Sequence, residues 1–367
     1  METRIDILED FVCCSENQRY NKEYQHWRRH TNTPFMYRYS GDANENIYVE
    51  GGTQQKTSAA ASERQALTHC GDAVGMAMLL FLLAELIGRP ILTALLRLFG
   101  VQIHMDFIAQ STPGSQWAET GAQIFIILLK FGLPAVILLH FCKIPRKIAA
   151  PVLFGGIPET IAAVGFGMLI ACIHSLTAHS EDVELVQRMF NYKDIAAVVA
   201  FAAFDIFLTP ILAELLLRGC ILQLLRQFGD GFAIAVTACI AFLCPNTLPD
   251  RISALLIGLA SGYLMLRSGS ILKCIIIRVI YTTMVYARLI LVSEAQRILL
   301  WQYTLLLASA GMLAIAAYAQ VRRGKIRLEQ NQTVLEDREK LFALTQSVAA
   351  LPWLAIAALL TLVQLFY

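Results

Sequence analysis

Nine stretches of mostly apolar sequence recur along the chain, at about 73–98, 120–142, 157–176, 196–217, 232–246, 252–267, 271–293, 303–320 and 347–366. A helix needs about 20 apolar residues to cross the hydrocarbon core of a bilayer. In lipid the backbone must also satisfy its own hydrogen bonds, which leaves helices as the way to do so with runs of this kind. The expected fold is therefore all-α, a polytopic transmembrane bundle of about nine spans. The fifth and sixth runs are short, so their ends are loosely defined. Of 367 residues, 56% are hydrophobic and 16% charged, a balance that excludes an ordinary soluble enzyme.

Four segments follow. Residues 1–71 form a polar tail, with no apolar signal-peptide region between Met1 and Ala66, and the tail is expected to be mostly disordered. Within it, Ile5, Leu8 and Phe11 fall on one face of a short helix. The run Tyr20–Tyr39 mixes aromatics with Arg28, Arg29 and Arg38, and Gly51–Ser62 reads as a linker. The aromatic-basic run has two readings, a partner-binding or membrane-surface segment and a poorly ordered cytosolic tail. Residues 72–195 hold the first three spans, 196–293 a core of four, and 294–367 the last two with a basic loop between them.

Basic residues in short loops fix orientation. Alternation of the loops puts Lys143, Arg146, Lys147, Arg226, Arg267, Lys273 and the cluster Arg322, Arg323, Lys325 and Arg327 on one side. The other side has Arg188, Lys193, Arg251 and Arg297, and its first loop, Val101–Trp117, has no basic residue. The basic side is cytosolic, which makes the N-terminal tail cytosolic and, with nine spans, places the C-terminus outside. The expected location is the cell membrane. The lipid bilayer is the first partner, a membrane protein or peptide a further one, and nucleic acid is not expected.

Nine cysteines show no CxxC spacing and seven histidines no HExxH. His26 and His30 share a helix spacing but lack cysteine or carboxylate company, so neither a metal nor a cofactor is expected. Glu85 and Arg89 sit one turn apart on the first span, and Lys130 on the second either pairs with Glu85 or snorkels to the interface. These three read as structural. No internal repeat supports a transporter of inverted halves.

The chemistry concentrates between Pro210 and Thr282. Ionisable groups at bilayer depth are costly and face one another or line a cavity. Glu214 precedes Arg218 at i,i+4, the favourable order for a helical ion pair. Phe228-Gly229-Asp230-Gly231 breaks two helical runs, with Glu214 sixteen residues before Asp230 and Asn246 sixteen after, so the two fall at one depth in an antiparallel hairpin. A second break, Arg267-Ser268-Gly269-Ser270, precedes the span carrying Arg278 and Thr282, again i,i+4. Gly258 and Gly262 allow close helix contact. Arg278 cannot shed its charge in lipid and needs an anion; Asp205 and Glu214 on the fourth span are available. A charge cluster of Asp205, Glu214, Arg218 and Arg278 linking spans four, five and seven satisfies all of them.

This layout resembles the CAAX-protease and bacteriocin-processing (CPBP, or Abi) family of intramembrane proteases. Its EExxxR motif after a proline, its FxxxH and its HxxxN/D correspond to Ala213-Glu214-Leu-Leu-Leu-Arg218, Phe242-Leu-Cys-Pro-Asn246 and Arg278-Val-Ile-Tyr-Thr282. The connector from Gly258 to Ser270 follows the family's glycine-rich helix and turn. The likeness covers about 195–293. It implies that the first glutamate of the motif is a general base on water, with the histidines assisting at the water and the developing oxyanion. Here those positions hold Ala213, Asn246, Arg278 and Thr282. Glu214 cannot simply replace its neighbour, because adjacent helical residues point about 100° apart. Asn246 donates a hydrogen bond but cannot shuttle a proton. No histidine follows His179 in the sequence.

The resemblance thus implies a catalytically degenerate membrane protein that binds a membrane partner or transmembrane segment, with no catalytic residue expected. Two alternatives stay open: an active intramembrane endopeptidase using Glu214, and a small transporter or channel using the same charges as a pathway.

Overall fold

A computed structural model describes residues 15–31, 33–37, 52–100, 116–177, 195–244, 247–291, 295–322 and 333–366. The described residues fold into helices, as the repeated apolar runs require. A short α1 (Gln18–His30) precedes the long α2, which runs Gly52–Leu83, a π-helical turn Ala84–Gly88 and Arg89–Leu98. Helix α3 is likewise interrupted: Gln116–Ile127, a π-turn Leu128–Gly132, then Leu133–Phe141. A four-residue α4 (Arg146–Ala149) leads to α5 (Ile157–Thr177). Helix α6 contains Ile195–Glu214, a seven-residue π-turn Leu215–Ile221, Leu222–Leu225 and a 3₁₀ turn Arg226–Phe228. Then come α7 (Asp230–Leu243), α8 (Leu248–Ser268), α9 (Ile271–Leu291), α10 (Ala295–Arg322), α11 (Asp337–Thr345) and α12 (Ala350–Phe366).

Polarity is arranged for lipid. Ile91, Phe125, Val136, Phe207, Leu307 and Ile315 are exposed, whereas Glu214, Arg218, Gln223 and Ser261 have no exposed surface. An apolar outside around a charged inside is costly in water and favoured in a bilayer, where charges turn to the bundle interior. Among the described residues, five helical stretches are long and apolar enough to cross: Ala60–Leu98, Trp117–Phe141, Ile157–Thr177, Val199–Phe228 and Leu299–Arg322. The pair Asp337–Thr345 and Ala350–Val363, bent by 92°, makes a sixth if it is one broken span. The expected nine are not confirmed among the described residues. Helix α7 has 14 residues, and α8 and α9 carry Asp250, Arg251 and Arg267, and Lys273, Arg278 and Arg288. Arg251, Arg267, Lys273 and Arg288 are buried, with Arg251 bonded to Thr361 of α12, Arg267 to Gln320 of α10 and Lys273 to Thr160 of α5, while Arg278 bonds Glu214 of α6.

Both sequence breaks are turns. Gly229, at φ 129°, starts α7, and Gly269, in the left-handed region at φ 61°, ends α8. That conformation suits glycine, which has no Cβ to clash. Helix α8 packs on α7 through Gly258 and Gly262; a Cβ on Gly258 would sit 2.7 Å from Ala238 Cα. Helix α5 packs against α8, α9 and α10, and α6 against α3 and α9.

The N-terminal tail departs from expectation over residues 15–37. Its aromatic-basic run is docked, with Tyr20, Tyr24, Trp27 and Tyr37 buried in the main apolar core. Trp27 Nε1 donates to the Lys143 carbonyl at 2.8 Å, Asn17 Nδ2 to the Gly269 carbonyl at 2.8 Å, and Arg226 lies over the Tyr20 and Tyr24 rings. The Lys147 ammonium bonds Glu23 at 2.6 Å and holds that carboxyl below its ordinary value. Sequence alone did not distinguish this self-docking from a partner-binding face, since both bury aromatics. The stretch read as a linker is helical from Gly52 onward. Ile5, Leu8, Phe11, Arg38, Arg188, Lys193 and the basic residues Arg323, Lys325 and Arg327 lie outside the described residues, as does the loop 101–115.

Candidate functional site

Helix α6 places Glu214 at the last residue before its π-turn and Arg218 within it. Glu214 Oε2 lies 3.3 Å from Arg218 Nε, and Glu214 Oε1 accepts a 2.8 Å hydrogen bond from Arg278 Nε. Arg218 Nη2 also donates to the Gly258 carbonyl at 2.8 Å, reaching across to α8 where a glycine leaves room. One carboxylate thus sits between two guanidinium groups contributed by α6 and α9. Glu214 and Arg218 are fully buried, a placement that holds only while the charges are paired.

Beside this triplet lies a cavity of about 300 Å³ between α2, α3, α6, α7 and α9. Its charged lining is Glu85, Arg89, Lys130, Asp205 and Arg278, and Ala213 forms part of the wall. Lys130 Nζ donates to Glu85 Oε2 at 2.7 Å, and Glu85 Oε1 lies 3.0 Å from Arg89. Asp205 accepts from Thr209 at 2.8 Å and from the Tyr286 hydroxyl at 3.0 Å. The first-span charges, read from sequence as structural and separate, therefore line the same chamber as Arg278. The missed signal was the π-turns: the turns at Ala84–Gly88 and Leu128–Gly132 carry Glu85 and Lys130, and the third carries Arg218. Such turns are rare, often occur at functional sites and have no sequence signature of their own.

The six degenerate-motif positions separate as follows. Ala213 faces the chamber and Glu214 is turned to the two arginines, the divergence expected of helical neighbours. Arg278 joins both. The Thr282 hydroxyl donates to the Arg278 carbonyl one turn back at 2.9 Å, and Thr282 is absent from the chamber wall. Asn246 lies outside the described residues. Of the two anions available to Arg278, the structure uses Glu214.

A second polar group surrounds His174 of α5. Its Nδ1 is 3.3 Å from Ser253 Oγ, 3.2 Å from the Tyr281 hydroxyl and 3.8 Å from Asp250 Oδ1. A histidine from outside the motif-bearing helices thus reaches α8 and α9, which linear order concealed. All three contacts converge on one ring nitrogen. Among the described residues, no group of three or more His, Cys, Asp or Glu side chains is placed to hold a metal ion.

A family model described as Type II CAAX prenyl endopeptidase Rce1-like matches residues 195–284, which are 90 of the 367 residues and run from the start of α6 into α9. Comparison with curated proteins and with solved structures returned no match.

Proposed function

We propose that this membrane protein of the CAAX-protease family no longer cuts peptide bonds and uses its intramembrane chamber to bind a membrane partner or transmembrane segment. The observation that carries this reading is Ala213 in the chamber wall, at the position where the family motif has its general-base glutamate. A methyl group there cannot take a proton from water. The neighbouring carboxylate of Glu214 is held by Arg278 and Arg218, whose guanidinium groups occupy its oxygens and keep them from a water molecule. Arg278 puts a guanidinium in place of a motif histidine, a group suited to holding an anion rather than to shuttling a proton. General acid–base groups typically contribute about 10²–10⁴-fold to rate, and here several are replaced together.

The same face of the bundle still offers a shaped, charged cavity for binding. The cytosolic placement of the basic loops and of α1, and residence in the cell membrane, belong to this proposal. Purified protein in detergent, incubated with a panel of transmembrane peptides, is expected to leave them intact. Cleavage that disappears in Glu214→Gln overturns the reading. Crosslinking with mass spectrometry in native membranes is expected to capture a membrane protein or peptide at α2, α3 or α6.

A further inference from the structure

The groups lining the chamber, together with the pair behind it, carry four cations (Arg89, Lys130, Arg278 and Arg218) against three carboxylates (Glu85, Asp205 and Glu214). Cations thus crowd one wall of a site lined largely by apolar side chains. Cationic side chains in such surroundings favour an anion beside them.

Arg278 shows where that ion fits. Its Nε is bonded to Glu214, while among the described residues neither Nη1 nor Nη2 makes a hydrogen bond. A guanidinium with two parallel N–H donors unengaged matches the paired oxygens of a carboxylate or phosphate. Lys130, on the same wall, spends one donor on Glu85 and has two more. The two carboxylates of the wall are already engaged, Glu85 by Lys130 and Arg89, and Asp205 by Thr209 and Tyr286. They leave a cationic site for one anion and discourage a second.

The remaining lining is greasy: Phe81, Ile126, Phe131, Phe201, Leu216 and Leu217. A volume of about 300 Å³ is at the small end for a ligand pocket, enough for a headgroup and the first part of a chain. We propose that the chamber binds a single oxyanion headgroup, carboxylate or phosphate, carried on an apolar tail, with Arg278 as the forked donor and Lys130 as the second cation. This inference rests on the chamber being a binding site rather than a proteolytic one, and it names the ligand chemistry.

The test uses the full chain in a nonionic detergent, with equilibrium binding measured by calorimetry. The probes are oleate, lysophosphatidic acid, a neutral monoacylglycerol, acetate and inorganic phosphate. At least one anionic amphiphile is expected to bind about tenfold or more tighter than the monoacylglycerol and than its own tail-less anion, the scale of one charge-assisted hydrogen bond. The order of oleate and lysophosphatidic acid tells carboxylate from phosphate. Arg278→Gln is expected to lose that advantage and Arg278→Lys to keep part of it; Lys130→Gln, which leaves Glu85 paired with Arg89, is expected to weaken binding several-fold. Equal affinity for anionic and neutral amphiphiles, or undiminished binding in a folded Arg278→Gln or Lys130→Gln protein, overturns the proposal. Peptide cleavage is a separate readout: its detection sinks the non-proteolytic reading, whereas loss of amphiphile selectivity without cleavage sinks only this one.

Discussion

Removal of the Glu214 charge is the perturbation to which this architecture should be most sensitive. Glu214 has no exposed surface and holds Arg278 Nε at 2.8 Å and Arg218 Nε at 3.3 Å. With charge centres near 4 Å apart and an effective dielectric of about 20, each attraction is about 4 kcal/mol before desolvation is subtracted. Glu214→Gln keeps the volume and a hydrogen-bond acceptor but deletes the anion. Arg218, fully buried, then has no carboxylate within ion-pair distance among the described residues. Breaking a buried pair in this way costs about 3–5 kcal/mol, because the surviving charge is stranded. Arg278→Gln should cost less, about 1–3 kcal/mol, since Arg278 is partly exposed and Glu214 keeps Arg218. In the double variant the two losses should fall short of additivity by about 1 kcal/mol or more, as they share one interaction. SDS-titration unfolding of the purified chain in mixed micelles measures all three. A Glu214→Gln protein within about 0.5 kcal/mol of wild type would show that the triplet contributes nothing to the fold. An Arg278→Gln protein less stable than Glu214→Gln would assign the wrong residue as its centre.

Other outcomes follow from the same coordinates. Gly258→Ala puts a Cβ 2.7 Å from Ala238 Cα, backbone against backbone, so about 1–3 kcal/mol of stability should be lost in the same unfolding assay. Trp27→Ala removes a buried indole and its bond to the Lys143 carbonyl, a change worth about 3–5 kcal/mol for the docking of α1. Trypsin should then cut at Arg28 and Arg29 in native-state digests where the wild type resists. Ala213→Glu alone should restore no peptide cleavage in a gel-based assay, because Arg278 still occupies the position of a proton-handling histidine. Cleavage by that single variant would mean that the rest of the machinery is intact.

Much of the fold was legible because lipid imposes a simple rule: long apolar runs become helices. The two glycine breaks were legible for the same kind of reason, since few residues other than glycine accept the backbone found at Gly229 and Gly269. The Arg278–Glu214 contact followed from charge conservation at depth, as an arginine in a bundle needs an anion. Span number was less legible. Helices α8 and α9 have spanning length and moderate hydropathy, and only their packing around α5 and α6 shows why three charges each are tolerated. The pairing of Glu85 with Arg89 and Lys130 was legible from spacing, but spacing along one helix does not say that these charges line the same chamber as Arg278. His174 was passed over because it lies outside the matched helices in sequence while touching two of them in space. The tail's aromatics carried a real burial signal, but nothing in a list of residues names the surface that buries them.

The three wide turns around the chamber have a consequence for how this wall can change. An i→i+5 turn accommodates a residue that regular α-helix would have no room for. Deletion of one residue from Ala84–Gly88, Leu128–Gly132 or Leu215–Ile221 would remove the surplus residue and let the turn close into the usual helical pitch, with the helix on either side kept in its present register. Glu85, Lys130 or Arg218, which lie inside these turns, would be re-aimed while the rest of the wall stayed in place. A change of one residue in chain length at any of these three short places would therefore alter the chamber locally without rebuilding the bundle.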